Sequence, residues 1–314
     1  SGAPGQAPGP APDEARAPAR GAGWSGAVRE ALANHWRIVR ADRLGTIGTA
    51  IILITAIIAI VGPWIMPHDP TQSLRMADGR MAVLQSPSLE FPLGTTNLAR
   101  DLLSQMIAAT RTTFLIGLVS GLISIAIGAN IGLVAGYYGG RIDNVLMRIT
   151  DIVYGMPFLP FIIVLISLFG RSIGFVMLAI VLIVWRTSAR VIRAQTIALK
   201  QRQFVAFARA RGASDLRIIY RHIGPNILPL LLLYSSFNIA WAIVTEASAS
   251  FLGFGDPNAI TWGGILQDLW VAGYTRQAWW WFAAPSLAIV LLVSAFVFVS
   301  RAYEIVANPR LADR

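Results

Sequence analysis

Two carboxylates, Asp151 and Glu246, lie within or against long apolar stretches, where an acid could do chemistry. Ionisable groups are costly in hydrocarbon, so such a pair, set deep and facing one another, could relay protons. Asp151 falls early in one stretch and Glu246 at the outer end of another. Both sit near expected boundaries, which favours solvation at the interface; a capping or ion-pair role would look the same in sequence. Metal and nucleophile chemistry has less to work with. The histidines His35, His68 and His222 fall in different regions, and no HExxH or GxSxG pattern occurs. The absence of cysteine removes a thiolate nucleophile, a thiolate metal site and a disulfide framework. A phosphate-binding loop needs a glycine-rich turn ending in Lys and then Ser or Thr. The one lysine, Lys200, stands between Leu199 and Gln201, so this chain cannot hold that motif. ATP, if it drives anything, binds in another subunit.

What remains is a concentration of positive charge. Residues 186–225 carry Lys200 and eight arginines against a single acid, Asp215. Overlapping this run, Gln203 to Pro229 reads as two short helices about a glycine joint. Phe204, Phe207, Ala208 and Arg211 share one face by their i, i+3, i+4, i+7 spacing. Gly212 breaks that helix, Ser214 or Asp215 can cap the next, and Pro225 is expected to end it. Capped short helices make a rigid knob that can pass force to the segments on either side. Packing under the chain's own helices would serve equally well as an explanation of the composition.

The elements that must hold this knob are membrane spans. The chain has 314 residues, 55% apolar and 13% charged, about half the ~25% charge of soluble domains. Several apolar runs approach the roughly 20 residues that cross a bilayer core. Residues 1–23, rich in Ala, Pro and Gly, are expected to be disordered. Residues 24–43 suit an amphipathic helix on an anionic leaflet, its arginines flanking Trp36 and Val39. A first span over 44–66 is longer than a signal-peptide core and reads as an uncleaved anchor. A polar, turn-rich external segment follows over 67–111, then a core of five further spans over 112–301 and a tail over 302–314. Within that core lie the basic loop, 196–225, and a second external segment, 246–278. Span two carries Gly117, Gly121, Gly128, Gly132 and Gly136 at small-xxx-small spacing, which lets helices approach closely. Pro157 should kink span three, because it lacks a donor and clashes with the preceding turn.

Six spans put both termini on one side. With that side cytoplasmic, twenty of the 26 Lys and Arg lie inside, as the positive-inside rule expects. The net charge of +10 therefore needs no nucleic acid.

The basic loop resembles the coupling motif of ABC-importer permeases: Glu-Ala-Ala, three residues, Gly, nine residues, Ile-x-Leu-Pro. Ala208, Gly212 and Pro225 match it; Ala206, Phe207 and Gly224 depart, and His222 takes the Ile position. The surrounding ARARGASDLRIIYRHIGPN is similar to the dipeptide, oligopeptide and nickel permeases in particular. PLGTTNLARDLLSQ, from Pro92 to Gln105, resembles their external GTDxxGRDxLS signature, departing at Thr96 and Ala99. GLVAGYYGGRIDNVLMR (132–148) and ASFLGFGDP (249–257) also resemble members. The likeness runs over about residues 40–310 and is nearest to the second permease of the pair, the one with a short first external loop.

The resemblance implies an all-α membrane protein with the type I importer permease fold, six spans and a cytoplasmic coupling helix pair. It implies no cofactor in this chain and ATP with Mg2+ in a partner. The partners would be a homologous permease, two ATPase subunits or domains, an external substrate-binding protein and membrane lipid. Phe204, Phe207, Ala208, Gly212, Ala213, Asp215 and Pro225 would form the ATPase-coupling element. Gly94, Thr95, Arg100, Asp101, Phe251, Leu252 and Gly253 would meet the binding protein or gate, although a structural re-entrant turn would explain the last three equally. Peptides would be the cargo, with nickel or another solute on the same scaffold as alternatives. A proton-coupled transporter using Asp151 and Glu246 is the competing function.

Overall fold

The computed structural model describes residues 42–307, together with Trp36, Ile38 and Arg40. By its contacts the chain divides at residue 38, and residues 38–314 form the unit considered below. The tail expected over 1–23, nearly all of the amphipathic helix expected over 24–43, and residues 308–314 lie outside the described residues.

The described residues are helices joined by turns, with isolated bridges and no strand. They comprise α1 (Arg43–Ile65), α2 (Leu102–Tyr138), α3 (Gly140–Gly155), α4 (Phe158–Phe169), α5 (Ile173–Lys200) and α6 (Gln203–Ala210). A long α7 (Asp215–Phe251), α8 (Trp262–Ala272) and α9 (Trp279–Ala307) follow. Five of these (α1, α2, α5, α7 and α9) are long and apolar enough to cross a membrane. A sixth crossing arises if α3 and α4 are one broken span. Their axes differ by 90°, with Met156 and Pro157 between them. Pro157 therefore starts a new helix at φ −68° and does not merely kink a continuous one.

Helix α2 is the axis of the unit. At 37 residues it is about 55 Å long at 1.5 Å per residue, well beyond a ~30 Å hydrocarbon core. It starts ten residues before the expected boundary of span two because Asp101 caps it, accepting from Ser104 N at 2.9 Å and Ser104 Oγ at 2.6 Å. Its glycines are where neighbouring backbones come in. A Cβ on Gly121 would lie 2.6 Å from Ile239 Cα on α7, and one on Gly132 would lie 2.6 Å from Ala189 O on α5. No side chain fits at those distances, so the glycine stripe sets how closely α5 and α7 approach α2.

Helix α7 departs from expectation. Pro225 does not end it: the backbone widens to a π turn over Ile218–Ile223, tightens to a 3-10 turn over Gly224–Ile227, and runs on. Proline cannot donate to the preceding turn. The irregular stretch absorbs that loss, with Asn226 Nδ2 donating to His222 O at 2.6 Å.

Candidate coupling site

The basic end of the bundle is built on α6, an eight-residue helix whose two faces differ sharply. Val205 and Ala208 turn inward and are buried with Leu133 and Tyr137 of α2, Ile192 of α5, and Ile218, Ile219 and Ile223 of α7. Full burial of one such aliphatic side chain contributes about 1.5–3 kcal/mol. Phe204, Phe207 and Arg211 turn outward, and Phe207 is 68% exposed. Ala208, mostly buried, still borders with them the groove of roughly 540 Å³ beside the outward face, whose walls are completed by Ala213, Arg217 and His222.

The end of α6 is closed by a specific backbone device. Ala213 N donates to Ala208 O at 3.1 Å and Gly212 N donates to Arg209 O at 2.9 Å. Gly212 sits at φ +77°. These are the paired bonds and left-handed residue of a Schellman cap, which satisfies carbonyls that a helix end leaves free. Ala208, Gly212 and Ala213 therefore belong together structurally: the first and last share a hydrogen bond across the glycine and join the same apolar cluster. The same device recurs where α7 ends, with Phe254 N on Ala249 O, Gly253 N on Ser250 O, and Gly253 at φ +89°.

Side chains fix the knob to the bundle. Tyr137 Oη donates to Asp215 Oδ1 at 2.6 Å, and Arg209 Nη2 donates to the same Tyr137 oxygen at 3.2 Å. Asp215 therefore ties the start of α7 to the end of α2. The expected side-chain cap is not formed there: Ser214 holds the N-cap position without a capping hydrogen bond. Nearby, Arg193 of α5 clamps Asp143 of α3 with two bonds, Nε to Oδ1 at 2.5 Å and Nη2 to Oδ2 at 2.6 Å. Sequence reading missed Tyr137, Asp143 and Arg193. Tyr137 and Asp215 are 78 positions apart, and no local spacing signals their contact.

The two carboxylates are not a pair. Asp151 meets Arg190 Nη2 at 2.6 Å, and both side chains are about half exposed. Glu246 is 1% exposed, with Ser250 Oγ donating to its Oε1 at 2.6 Å. This corrects the expectation of interfacial solvation: α7 continues past Glu246 to Phe251, and α8 packs over it, with Gly263 against the Ala247 backbone.

At the opposite end, the residues expected to make external contacts divide into two groups. Thr95 and Asp101 are buried, so direct contact with a partner is corrected to a role inside the loop. Thr95 Oγ1 bonds Ala82 O and accepts from Gln85 N at 2.8 Å, and Gly94, at φ +77°, packs against Trp280. Arg100 is partly buried and borders a cavity of roughly 320 Å³ with Asp268. Phe251 and Leu252 are exposed. Ala99, at the glycine position of the resembled signature, has φ +57° and is fully buried with Ala82 and Phe91. Thr96, at an acid position of that signature, caps locally by accepting from Arg100 N at 3.2 Å.

Among the described residues no cluster of acids and histidines could hold a metal ion. The bundle presents one short, rigidly capped helix at its basic end. Comparison with known proteins gives its family. Residues 128–313 match the family of binding-protein-dependent transport system inner membrane components, and residues 31–87 match the N-terminal domain of oligopeptide transport permease C. The chain belongs to that family of binding-protein-dependent permeases: it is a multi-pass permease subunit of an ABC importer.

It is 32% identical to the dipeptide transport system permease protein DppC of Haemophilus influenzae, over 91% of this chain and 97% of that one. The oligopeptide permease OppC of the same organism is 33% identical over 84% of each chain. DppC of Bacillus subtilis is 30% identical, over 88% of this chain and 85% of its own. In structure, the chain resembles the inward-facing MetNI methionine ABC transporter with a TM-score of 0.51 at 18% identity, covering 65% of this chain and 95% of that one. The fold is that of the type I importer permeases, and nothing in the comparisons favours a proton-coupled carrier.

Proposed function

We propose that this permease forms half of a membrane path for di- and oligopeptides and is driven through α6 and the first turns of α7. The names of its relatives support the cargo: dipeptide and oligopeptide permeases align along most of the chain. A homologous permease would supply the other half of the path, an external binding protein the peptide, and two ATPase subunits or domains, with ATP and Mg2+, the work. The basic end lies in the cytoplasm, as the placement of Lys and Arg favours, and the bundle is embedded in lipid.

The observation that carries the coupling role is the two-faced α6. Its inner face is held by buried Val205 and Ala208, while Phe204, Phe207 and Arg211 remain outward on a helix that is pinned at its end. A partner seated on that outer face can push on α2, α5 and α7 at once, because all three meet under α6. The bend at Pro157 and the close packing along α2 are the places where such a push would be taken up. Phe251, Leu252 and Gly253 face the binding protein or the peptide's entry.

The reading is tested by purifying the chain from its own membranes in mild detergent and assaying the eluate. Co-purified ATPase subunits and a second permease, with peptide-dependent ATPase activity, are expected. Intact peptide transport by a complex without an ATPase would overturn it.

A further inference from the structure

An arginine midway along a membrane-crossing helix needs a reason. Arg186 is the fourteenth residue of the 28-residue α5, so it lies about 20 Å from either end at 1.5 Å per residue. It opens the basic run that continues through Arg190 and Arg193 to Lys200. Its neighbour Arg190 has a carboxylate, Asp151, at 2.6 Å. Arg186 has none among the described residues: Nη1 donates to Ile183 O at 2.8 Å, and the guanidinium lies 5.0 Å from the centre of the Tyr154 ring. Its Nε is buried without an acceptor. A guanidinium has five N–H donors set to grip a planar carboxylate in two places.

Arg186 lines a cavity of roughly 390 Å³ between α4, α5 and α7. This is at the small end of the ~300–1,000 Å³ range of small-molecule sites. The walls are of two kinds. Phe158 and Trp241, in edge-to-face contact at 6.2 Å, form an aromatic side, while Thr187, Tyr234 and the buried Asn238 bring polar groups. A cation beside an aromatic wall, in a space this size, suits one residue bearing a free carboxylate next to an apolar side chain.

We propose that this cavity is a way-station on the transport path that holds the C-terminal carboxylate of the passing peptide on Arg186. The aromatic wall takes the terminal side chain. This inference rests on the peptide reading above. It assigns this guanidinium, which has no carboxylate partner among the described residues, to the cargo and not to another protein chain. The guanidinium, partly buried and without an acid of its own among the described residues, binds the carboxylate while the path is closed on both sides. It releases the carboxylate when water enters.

The test uses the complete importer in proteoliposomes, with alanyl-phenylalanine and its C-terminal amide each loaded to equal occupancy on the binding protein. The wild type should take up the free acid about ten-fold faster than the amide, the effect of one charged hydrogen-bonded contact. Arg186→Gln should bring the two rates together, and Arg186→Lys should keep a preference for the acid. Unchanged discrimination in Arg186→Gln would overturn the proposal. So would a collapse in the yield of assembled importer that Arg186→Lys restores without any preference, which would make Arg186 an anchor for the second permease. A wild type that transports neither compound would defeat the peptide reading itself, and this inference with it. A wild type that transports both, with no dependence on Arg186, would defeat this inference alone.

Discussion

Replacing Gly212 separates backbone conformation from contact, because a Cβ there would meet nothing within 4 Å. Gly212→Ala therefore costs only the left-handed conformation at φ +77°, about 1–2 kcal/mol for an L-residue. At ~1.4 kcal/mol per factor of ten, that shifts the balance between capped and frayed α6 by roughly 5- to 30-fold. Buried Val205 and Ala208 still hold the helix, so peptide uptake should fall only a few-fold. Gly212→Pro differs in kind. Proline is fixed near φ −65°, cannot reach +77°, and removes the N–H that bonds Arg209 O. The cost is about 3 kcal/mol or more, over 100-fold in the same equilibrium. Uptake and peptide-stimulated ATPase activity in proteoliposomes should be lost, while the amount of protein in the membrane is unchanged. Wild-type uptake by Gly212→Pro would refute the role of the cap, and so would a Gly212→Ala variant as damaged as Gly212→Pro.

Three further outcomes are expected. Gly132→Val would press side-chain atoms onto Ala189 O and Arg193 N, which a Cβ alone would already meet at 2.6 and 2.9 Å. Overpacking of this kind costs about 1–3 kcal/mol, and the purified importer should melt several degrees lower; an unchanged melting temperature would contradict the packing described. Ala99→Gly should relieve a left-handed alanine and raise stability by up to about 1 kcal/mol, measured by denaturation in detergent, since Gly adopts that φ freely; clear destabilisation would mean that the buried methyl matters more than the strain. Burial raises the pKa of Asp268 above its usual 3.8, and Arg100 draws it back down. The folded form thus holds the proton more tightly than the unfolded one, so this group's contribution to stability is full below 3.8 and is lost as pH rises through the folded value. Asp268→Asn should flatten that part of the melting-temperature profile, and an unaltered slope would count against it.

Which parts of this structure were legible in the sequence follows from how local their causes are. The glycine stripe of α2 and the break at Gly212 were readable, because spacing and backbone freedom are properties of a short segment. The continuity of α7 through Pro225 was not. Pro225 reads as a stop signal, yet the π and 3-10 turns around it let the helix continue from Asp215, and only the surrounding packing of Ile218, Ile219 and Ile223 makes that route favourable. Glu246 reads as interfacial because the apolar run fades there; the helix runs five residues further, and α8 covers it. The residues that lock the knob in place, Tyr137 to Asp215 and Asp143 to Arg193, come from distant segments, and nothing in either segment alone points to the other. In the external loop, the family-like GTTNLARD stretch was visible. Its role as the loop's own interior depends on Thr95 and Asp101 being buried under residues that no motif includes.

The account stands on the outward face of α6 meeting an ATPase. The chain contains no cysteine, so Phe207→Cys places a single thiol at the more exposed of the two phenylalanines on that face. A short thiol-to-amine cross-linker applied to the active importer should join this chain to an ATPase subunit, with a yield that changes between nucleotide-free and ATP-bound states. Cross-links that never include an ATPase, in an importer that still takes up peptide, would contradict the account.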